Sequence, residues 1–460
     1  MKMKRVVSTV LAGVMAFSLA ACGGAAPAAP AAPEAAPAEE APAEEAPAEE
    51  APAEEEPAEE APAESASSDE AITLNMWCIA TESDSNRHSY EAAIADMEKL
   101  YPNITLNWEA FENESYKTKI KAAVSADEMP DIFFTWSCAF LGDFVNAGKV
   151  YCLDDVYQNY KSELPEVMLG NSTYEGKHYG VPLTMNIVGL FANMDLLKEA
   201  GYDEIPGTYD EFIKCCDDLK AKGIIPFGCA GKETWCVTEY LESIIEKSIG
   251  ADELNDVFVN GATWNNQGIA DAVDTFQEMI SKEYFDPAGI GLTNDEVKAN
   301  FMDGKYAFYM NGTWNCADFA ANDAFKDKVK VAEFPVIDSS KSKLGQLIGG
   351  PSDTLAVAAS SPNAEKAAEY AMELGKYICH YGYLDGCGLP AWTPYGDTSS
   401  INPLTQAVSE ICANAETYVL FGDTAMTADD ASVYLDYVAQ VYGSEVDGAG
   451  FIEGLASDLR

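Results

Sequence analysis

From Ile72 onward the apolar and polar positions follow two rhythms that take turns along the chain. ITLNMWC (72–78) alternates with a period of two and predicts a strand. After a polar loop, HSYEAAIADMEKLYP (88–102) carries its apolar residues at helical spacing and is stopped before Pro102. NITLNWEAF is the next strand, YKTKIKAAVSADE the next helix, and DIFFTWS, following Pro130, a β-rich strand. LGDFVNAGKVYCLDDVY reads as a short helix running into a turn at Gly148. In YDEFIKCCDDLKAKG, Phe212, Cys215, Cys216 and Leu219 fall on one helical face and read as core positions. Strand and helix in alternation predict an α/β fold with parallel or mixed sheets, and such folds bind ligands at the carboxyl ends of their strands.

The first 70 residues have a different texture. MKMKR is a basic lead, and VVSTVLAGVMAFSLA is an apolar run of signal-peptide length, short for a membrane span. It ends in Leu19-Ala20-Ala21-Cys22-Gly23, which resembles a bacterial lipobox, so residues 1–21 are expected to be removed and Cys22 to carry lipid. More than one acyl chain on that cysteine gives stable anchoring where a single chain would not. Residues 22–70 then form an Ala/Pro/Glu linker built on APAEE, such as Ala36-Pro37-Ala38-Glu39-Glu40. Proline blocks helix and paired glutamates repel, so a disordered, extended spacer is expected.

Composition narrows the partners. At 460 residues the chain has room for two domains. The formal charge is −48. Setting aside three bases in residues 1–21 and fifteen acids in residues 23–70 leaves −36 on residues 71–460. A surface of that sign repels nucleic acid and anionic lipid headgroups. Of twelve cysteines, eleven remain beside Cys22, an odd number with no CxxC pair. Metal or redox use is not expected, although one bridge, for instance Cys229–Cys236, stays open. Unpaired thiols in number point to a reducing, anaerobic habitat.

The order ITLNMWC, EKLYPNITLNWE, IKAAVSADEMPDIFFTWS and FVNAGKVYCLDD resembles the family-1 extracellular solute-binding proteins of ABC importers, the group similar to maltodextrin-binding proteins. The resemblance continues through YEGKHYGVPLTMNIVGLFANMDLLKEAGYDEIPGTYDEFIKCCDDLKAKGIIPF, FMDGKYAFYMNGTW and IGGPSDTLAVAASSPNAEKAAEYAMEL. AWTPYG (391–396) matches loosely, and the last stretch matches in helical character alone. The resemblance implies a two-lobed, periplasmic-binding-protein-like α/β fold with a ligand cleft between lobes joined by hinge segments. It assigns residues 71–186 and 350–395 to lobe 1, and 190–349 and 400–460 to lobe 2. The implied function is capture of a carbohydrate, an oligosaccharide more than a monosaccharide, for an ABC permease. The implied setting is the outer face of the cell membrane, with the protein a monomer.

Sugar rings offer apolar C–H faces and a rim of hydroxyls, so a site for them calls for aromatic platforms and paired hydrogen-bonding groups. Trp77, Trp136 with Ser137, Trp235 in GKETW, Trp314 in NGTWN and Trp392 are the candidate platforms. Trp314, flanked by Asn311, Gly312 and Asn315 in a tight turn, is the strongest, because the resemblance places the family's stacking aromatic there. Trp108 and Trp264 read as structural. The polar candidates are Asp353 in GGPSD, Lys232 and Glu233, Asn186 in PLTMN, and Glu82 or Asp84 after the first strand. Asn311 joins them, and Gly349 and Gly350 permit close backbone approach.

No catalytic constellation accompanies these residues. His88, His178 and His380 are dispersed, and there is no HExxH, GxSxG, P-loop or GxGxxG after a strand. With 61 acidic residues in 71–460, some pair meets glycosidase spacing by chance. The expectation is therefore a binder with no catalytic residue, cofactor or metal. Two alternatives remain: a binder of another solute such as a peptide, polyamine or metal chelate, and a surface glycan-active enzyme or adhesin.

Overall fold

A computed structural model of the chain describes residues 71–459. The signal-like segment, Cys22 and the Ala/Pro/Glu repeat lie outside the described residues. Twelve strands form two sheets: β1 (Ile72–Cys78), β2 (Ile104–Ala110), β3 (Ile132–Trp136), β4 (Val181–Pro182), β5 (Thr184–Asn193), β6 (Ile225–Gly228), β7 (Tyr306–Gly312), β8 (Val329–Ala332), β9 (Gln346–Gly350), β10 (Asp353–Val357), β11 (Leu389–Pro390) and β12 (Thr417–Val419).

The first sheet runs β2-β1-β3-β10-β4. β1 pairs in parallel with β2 and β3, and β10 runs antiparallel to both β3 and β4. Its strands are apolar because helices cover them: Leu74, Met76, Ile132, Phe133 and Leu355 are buried with Tyr90, Ile94 and Met97 of the helix Arg87–Leu100. That helix ends two residues before Pro102, as the period predicts.

The second sheet runs β12-β9-β5-β7-β6, with β8 and β11 added to β5. Its larger core packs Phe212, Phe227 and Phe308 within ring distances of 5.0 to 5.8 Å. Cys215, Cys216 and Leu219 are fully buried beside Phe212 on one face of the helix Tyr209–Ala221. Phe191, Phe301, Phe319 and Phe325 fill the opposite face of the sheet. Trp264 belongs to the larger core, and Trp108 stacks on Tyr90 at 6.5 Å.

The chain crosses from one sheet to the other at Leu183, between β4 and β5, and returns at Pro351–Ser352, between β9 and β10. Gly349 at the return has φ +135°, and a Cβ there would stand 2.2 Å from the Asn186 carbonyl. Only glycine permits β9 to approach β5 so closely. Thr184–Asn186 and Leu389–Pro390 belong to the second sheet, whereas Trp392 packs in the first core.

All eleven described cysteines are free thiols, Cys229 and Cys236 included. Among the described residues no helix is long and apolar enough to cross a membrane, and no cluster of three or more His, Cys, Asp or Glu is arranged to hold a metal. The histidines are placed structurally: His88 meets Asp385 at 2.8 Å, His178 meets Thr173 at 2.8 Å, and His380 stacks on Tyr395.

Candidate functional site

A cavity of about 550 Å³ lies where the ends of both sheets face one another. From the first sheet's side it is walled by the loop after β1, the start of the helix Asn113–Ala126, Trp136 at the end of β3 and Asp353 at the start of β10. The Asn86 N–H donates to Asp84 at 2.8 Å and fixes the loop. The Glu112 carboxylate caps the helix, accepting from the Glu114 and Ser115 N–H groups at 3.0 Å each. Trp136 and Asp353 are direct partners in the β3–β10 ladder, so the tryptophan and the carboxylate arrive together.

The second side brings Lys232 and Glu233 from the turn before the helix Trp235–Ile249, Trp235 and Glu239 from its start, Asn294 and Lys298 from the helix Asn294–Met302, Trp314, and Phe421 with Asp423. Trp314 sits in the single turn Thr313–Asn315 that follows β7. Its indole lies 6.1 Å from that of Trp235 and 6.3 Å from the Phe421 ring, so three aromatics form one wall. Asn311 builds this turn: its Oδ1 accepts from the Gly312 N–H at 3.0 Å and from Asn315 Nδ2 at 2.8 Å.

Eight carboxylates and three ammonium groups line the cavity. Burial pushes Asp84 up to about 6 against the pull of its Asn86 bonds and Lys298. Burial, with the Asp84 charge added, pushes Asp353 up to about 7. Burial also pulls on the Lys298 ammonium, but Asp318 at 2.7 Å and Asp295 outweigh it and hold the group charged. Such an arrangement binds hydroxyl-rich solutes well: flat aromatic faces for apolar ring surfaces, and carboxylates, ammoniums and amides for the rim.

Of the residues singled out in the sequence, Trp136, Trp235, Trp314, Lys232, Glu233, Asp84 and Asp353 line this cavity. The others lie elsewhere, each for a visible reason. Trp77 meets Phe111 edge-on at 5.9 Å beneath Lys119. Trp392 is buried in the first core, its Nε1 donating to the Pro182 carbonyl at 2.8 Å. Ser137 donates to the Pro351 carbonyl at 3.1 Å and Asn186 accepts from Thr313 at 3.0 Å, so both brace the sheet crossings. Asn311 is wholly buried under the turn it organises. Gly350 pairs with Asn186 across β9 and β5, and Glu82 is an exposed partner of Arg87 at 3.1 Å.

Sequence reasoning missed Lys117, Glu239, Asn294, Lys298, Phe421 and Asp423. A signal existed for Asn294 and Lys298, because Thr293 and Glu296 form a capping box that starts their helix at the cavity edge. Glu239 sits one turn beyond Trp235 on the same helix, which would have placed both on one face.

Two α/β units around one aromatic, carboxylate-rich cavity make this a two-lobed binding protein. The chain belongs to the bacterial extracellular solute-binding protein family, whose model matches residues 83–377. It is 23% identical to the multiple sugar-binding protein of Streptococcus mutans over 79% of this chain and 84% of that protein. A solved structure from work on xylan utilization by Caldanaerobius polysaccharolyticus is 33% identical, with a TM-score of 0.81 over 85% of this chain and 100% of that one. A chitin oligosaccharide binding protein shares the fold at 24% identity, with a TM-score of 0.77 over 84% of this chain and 98% of that one.

Proposed function

We propose that this protein captures a carbohydrate outside the cell, an oligosaccharide more than a single sugar, and presents it to the permease of an ABC importer. The observation that carries this reading is the wall formed by Trp235, Trp314 and Phe421 facing Trp136 and the carboxylates of the opposite side. Aromatic faces pair with sugar C–H surfaces, and the surrounding carboxylates, amides and lysines satisfy hydroxyls. The sugar-binding relative and the 33%-identical neighbour from xylan utilization support the same class of ligand.

Delivery works through differential affinity. A ligand that touches both sides of the cavity favours the arrangement that closes on it, and that arrangement is the one a permease reads. Lipid on Cys22, with the Ala/Pro/Glu segment 22–70 between it and the binding domain, would hold the binder at the membrane surface as a monomer. The work needs no bond making, so no residue is assigned a catalytic role.

The test is a thermal-shift screen of the protein with xylo-, gluco-, manno-, galacto-, malto- and chito-oligosaccharides, monosaccharides, and a control set of peptides and spermidine. A dose-dependent rise with one sugar series supports the reading. A rise with spermidine or a peptide and with no sugar overturns it. The spermidine arm matters because eight carboxylates against three ammoniums would also suit a cation. Cys22→Ala expressed in a bacterial host should move the protein from the membrane fraction to the medium.

A further inference from the structure

The helix Trp235–Ile249 carries three buried glutamates, and two of them are satisfied. Glu242 accepts from the Tyr434 hydroxyl at 2.9 Å and from the Gly422 N–H at 3.1 Å. Glu246 meets Lys247 at 3.0 Å and the Ser342 hydroxyl at 3.0 Å. Glu239 is different. It is 1% exposed, it lines the cavity, and neither carboxylate oxygen has a hydrogen-bond partner among the described residues. The Gly312 N–H lies near enough to favour the ionised form somewhat, but it donates to Asn311 Oδ1 at 3.0 Å and is outside bonding geometry to the Glu239 carboxylate. A buried carboxyl group without a partner is unfavourable and rare, so an unpaired one at the wall of a binding cavity marks a place for a donor from outside.

Two further orphans share the cavity: the Trp235 Nε1–H, a donor, and Asn113 Oδ1, an acceptor. Trp235 precedes Glu239 by four residues, so its indole and the carboxylate fall on the same helix face, and Asn113 comes from the opposite side of the cavity.

Resting on the sugar-binding reading above, we propose that Glu239 is the specificity-determining acceptor of this site, its ionised carboxylate taking two hydroxyl donors from adjacent carbons of a neutral sugar ring that lies against Trp235 and Trp314. A carboxylate has lone pairs on both oxygens and accepts two donors at once, which hydroxyls on neighbouring carbons supply. The ligand class is therefore a neutral glycan with an unsubstituted pair of adjacent hydroxyls. Sugars bearing carboxylates are disfavoured by the eight acids already present.

The surroundings of Glu239 favour its neutral form in the empty site. Burial, then Glu242 one turn along the helix and Asp423 across from it, raise its carboxyl well above the usual range. Lys117 faces the same region but is shared with Asp423 and Glu114. The thiols of Cys229 and Cys236 and the phenols of Tyr240 and Tyr309, which pack around it, stay neutral because burial raises them. Capture of the diol by the ionised form sends that proton to solvent.

The test uses titration calorimetry of the full chain and of Glu239→Gln with xylotetraose, maltotetraose and chitotetraose at pH 7, in phosphate and in Tris buffer. Glutamine keeps the shape but exchanges one acceptor for a donor, and a hydrogen bond to a charged group is lost. The expected result is binding weakened about tenfold or more. Buffer-dependent heat should reveal proton release by the parent and its absence in the variant. A Glu239→Gln affinity within about threefold of the parent, or equal proton release from both, overturns the inference. The parent's proton release tests it even where the variant does not fold. If none of the three sugars, nor any sugar of the wider screen, binds the parent, it is the sugar reading that fails and this inference with it.

Discussion

Lys117 Nζ stands 3.6 Å from Asp423 Oδ2 and thereby joins the first side of the cavity to the second. The same ammonium lies 3.1 Å from Glu114, so one cation serves two carboxylates. Burial pulls on Lys117, yet the two acids hold it charged, while burial and Glu114 push the Asp423 carboxyl up further than Lys117 can lower it. The Ser85 hydroxyl adds a second tie across the cavity, donating to Asp318 at 2.8 Å.

Removing this shared cation leaves Asp423 and Glu114 facing one another near Glu239 and Glu242. Lys117→Met should lower stability by about 1–3 kcal/mol, less than the loss of a fully buried partner because the pair keeps some solvent. Asp423→Asn on the same background should recover most of that loss. Thermal unfolding of the two variants and the parent measures both effects, and equal unfolding temperatures for single and double variants would show that the loss does not come from leaving Asp423 without its cation.

Gly312 makes room for Trp314. An added Cβ would stand 2.0 Å from Trp314 Cζ3, whereas the backbone at Gly312, with φ −61°, suits any residue. Space alone demands glycine here. Gly312→Ala should push the indole off its place beside Trp235 and weaken sugar binding nearly as much as Trp314→Ala, which should cost about 2 kcal/mol or more, roughly thirtyfold. Titration calorimetry of both variants checks this; a Gly312→Ala protein with parental affinity would mean that the ring moves freely or carries no ligand.

The sheet strands and first helices were legible because each carries a clean period: ITLNMWC, DIFFTWS and the helix before Pro102 appear where alternation and helical spacing put them. Trp314 was legible as well, since a tryptophan between Asn311 and Asn315 has no core pattern around it. Trp77 and Trp392 carried the same local signal, but their surroundings are tertiary: Phe111 and Lys119 cover one, and the Pro182 carbonyl claims the other. Glu239 was illegible for the opposite reason. Embedded in WCVTEYLESIIEKSI, it looks like one polar residue of an amphipathic helix, and its burial follows from packing that no local period encodes.

Asp353 links the cavity to pH. Its carboxyl is pushed up to about 7, and that of Asp84 to about 6, while both titrate near 3.9 in an unfolded chain. The folded protein therefore binds these protons more tightly than the unfolded one. Their contribution to stability is greatest below about pH 4 and is lost as pH rises toward 7. Asp353→Asn removes one of the two groups. Its unfolding temperature should match the parent's near pH 4 and exceed it increasingly up to pH 8. Scans at five pH values decide this, and a difference that stays constant with pH would remove Asp353 as the cause.

The cysteines should behave as packing groups. Eight of the eleven described thiols are buried, and burial pushes the partly covered Cys138 and Cys412 up to about 11. Cys152 is the third partly exposed thiol, also raised by burial but by less. A thiol-specific disulfide reagent needs thiolate and access together. Among the eleven described thiols the native protein should thus show one fast-reacting group, removed by Cys152→Ser, with the other ten released only on denaturation. Dithiothreitol should leave the unfolding temperature unchanged, because none of the described cysteines forms a crosslink whose loss would free the unfolded chain. A drop of several degrees on reduction would instead reveal a bridge, and Cys229 with Cys236 would be the first pair to map.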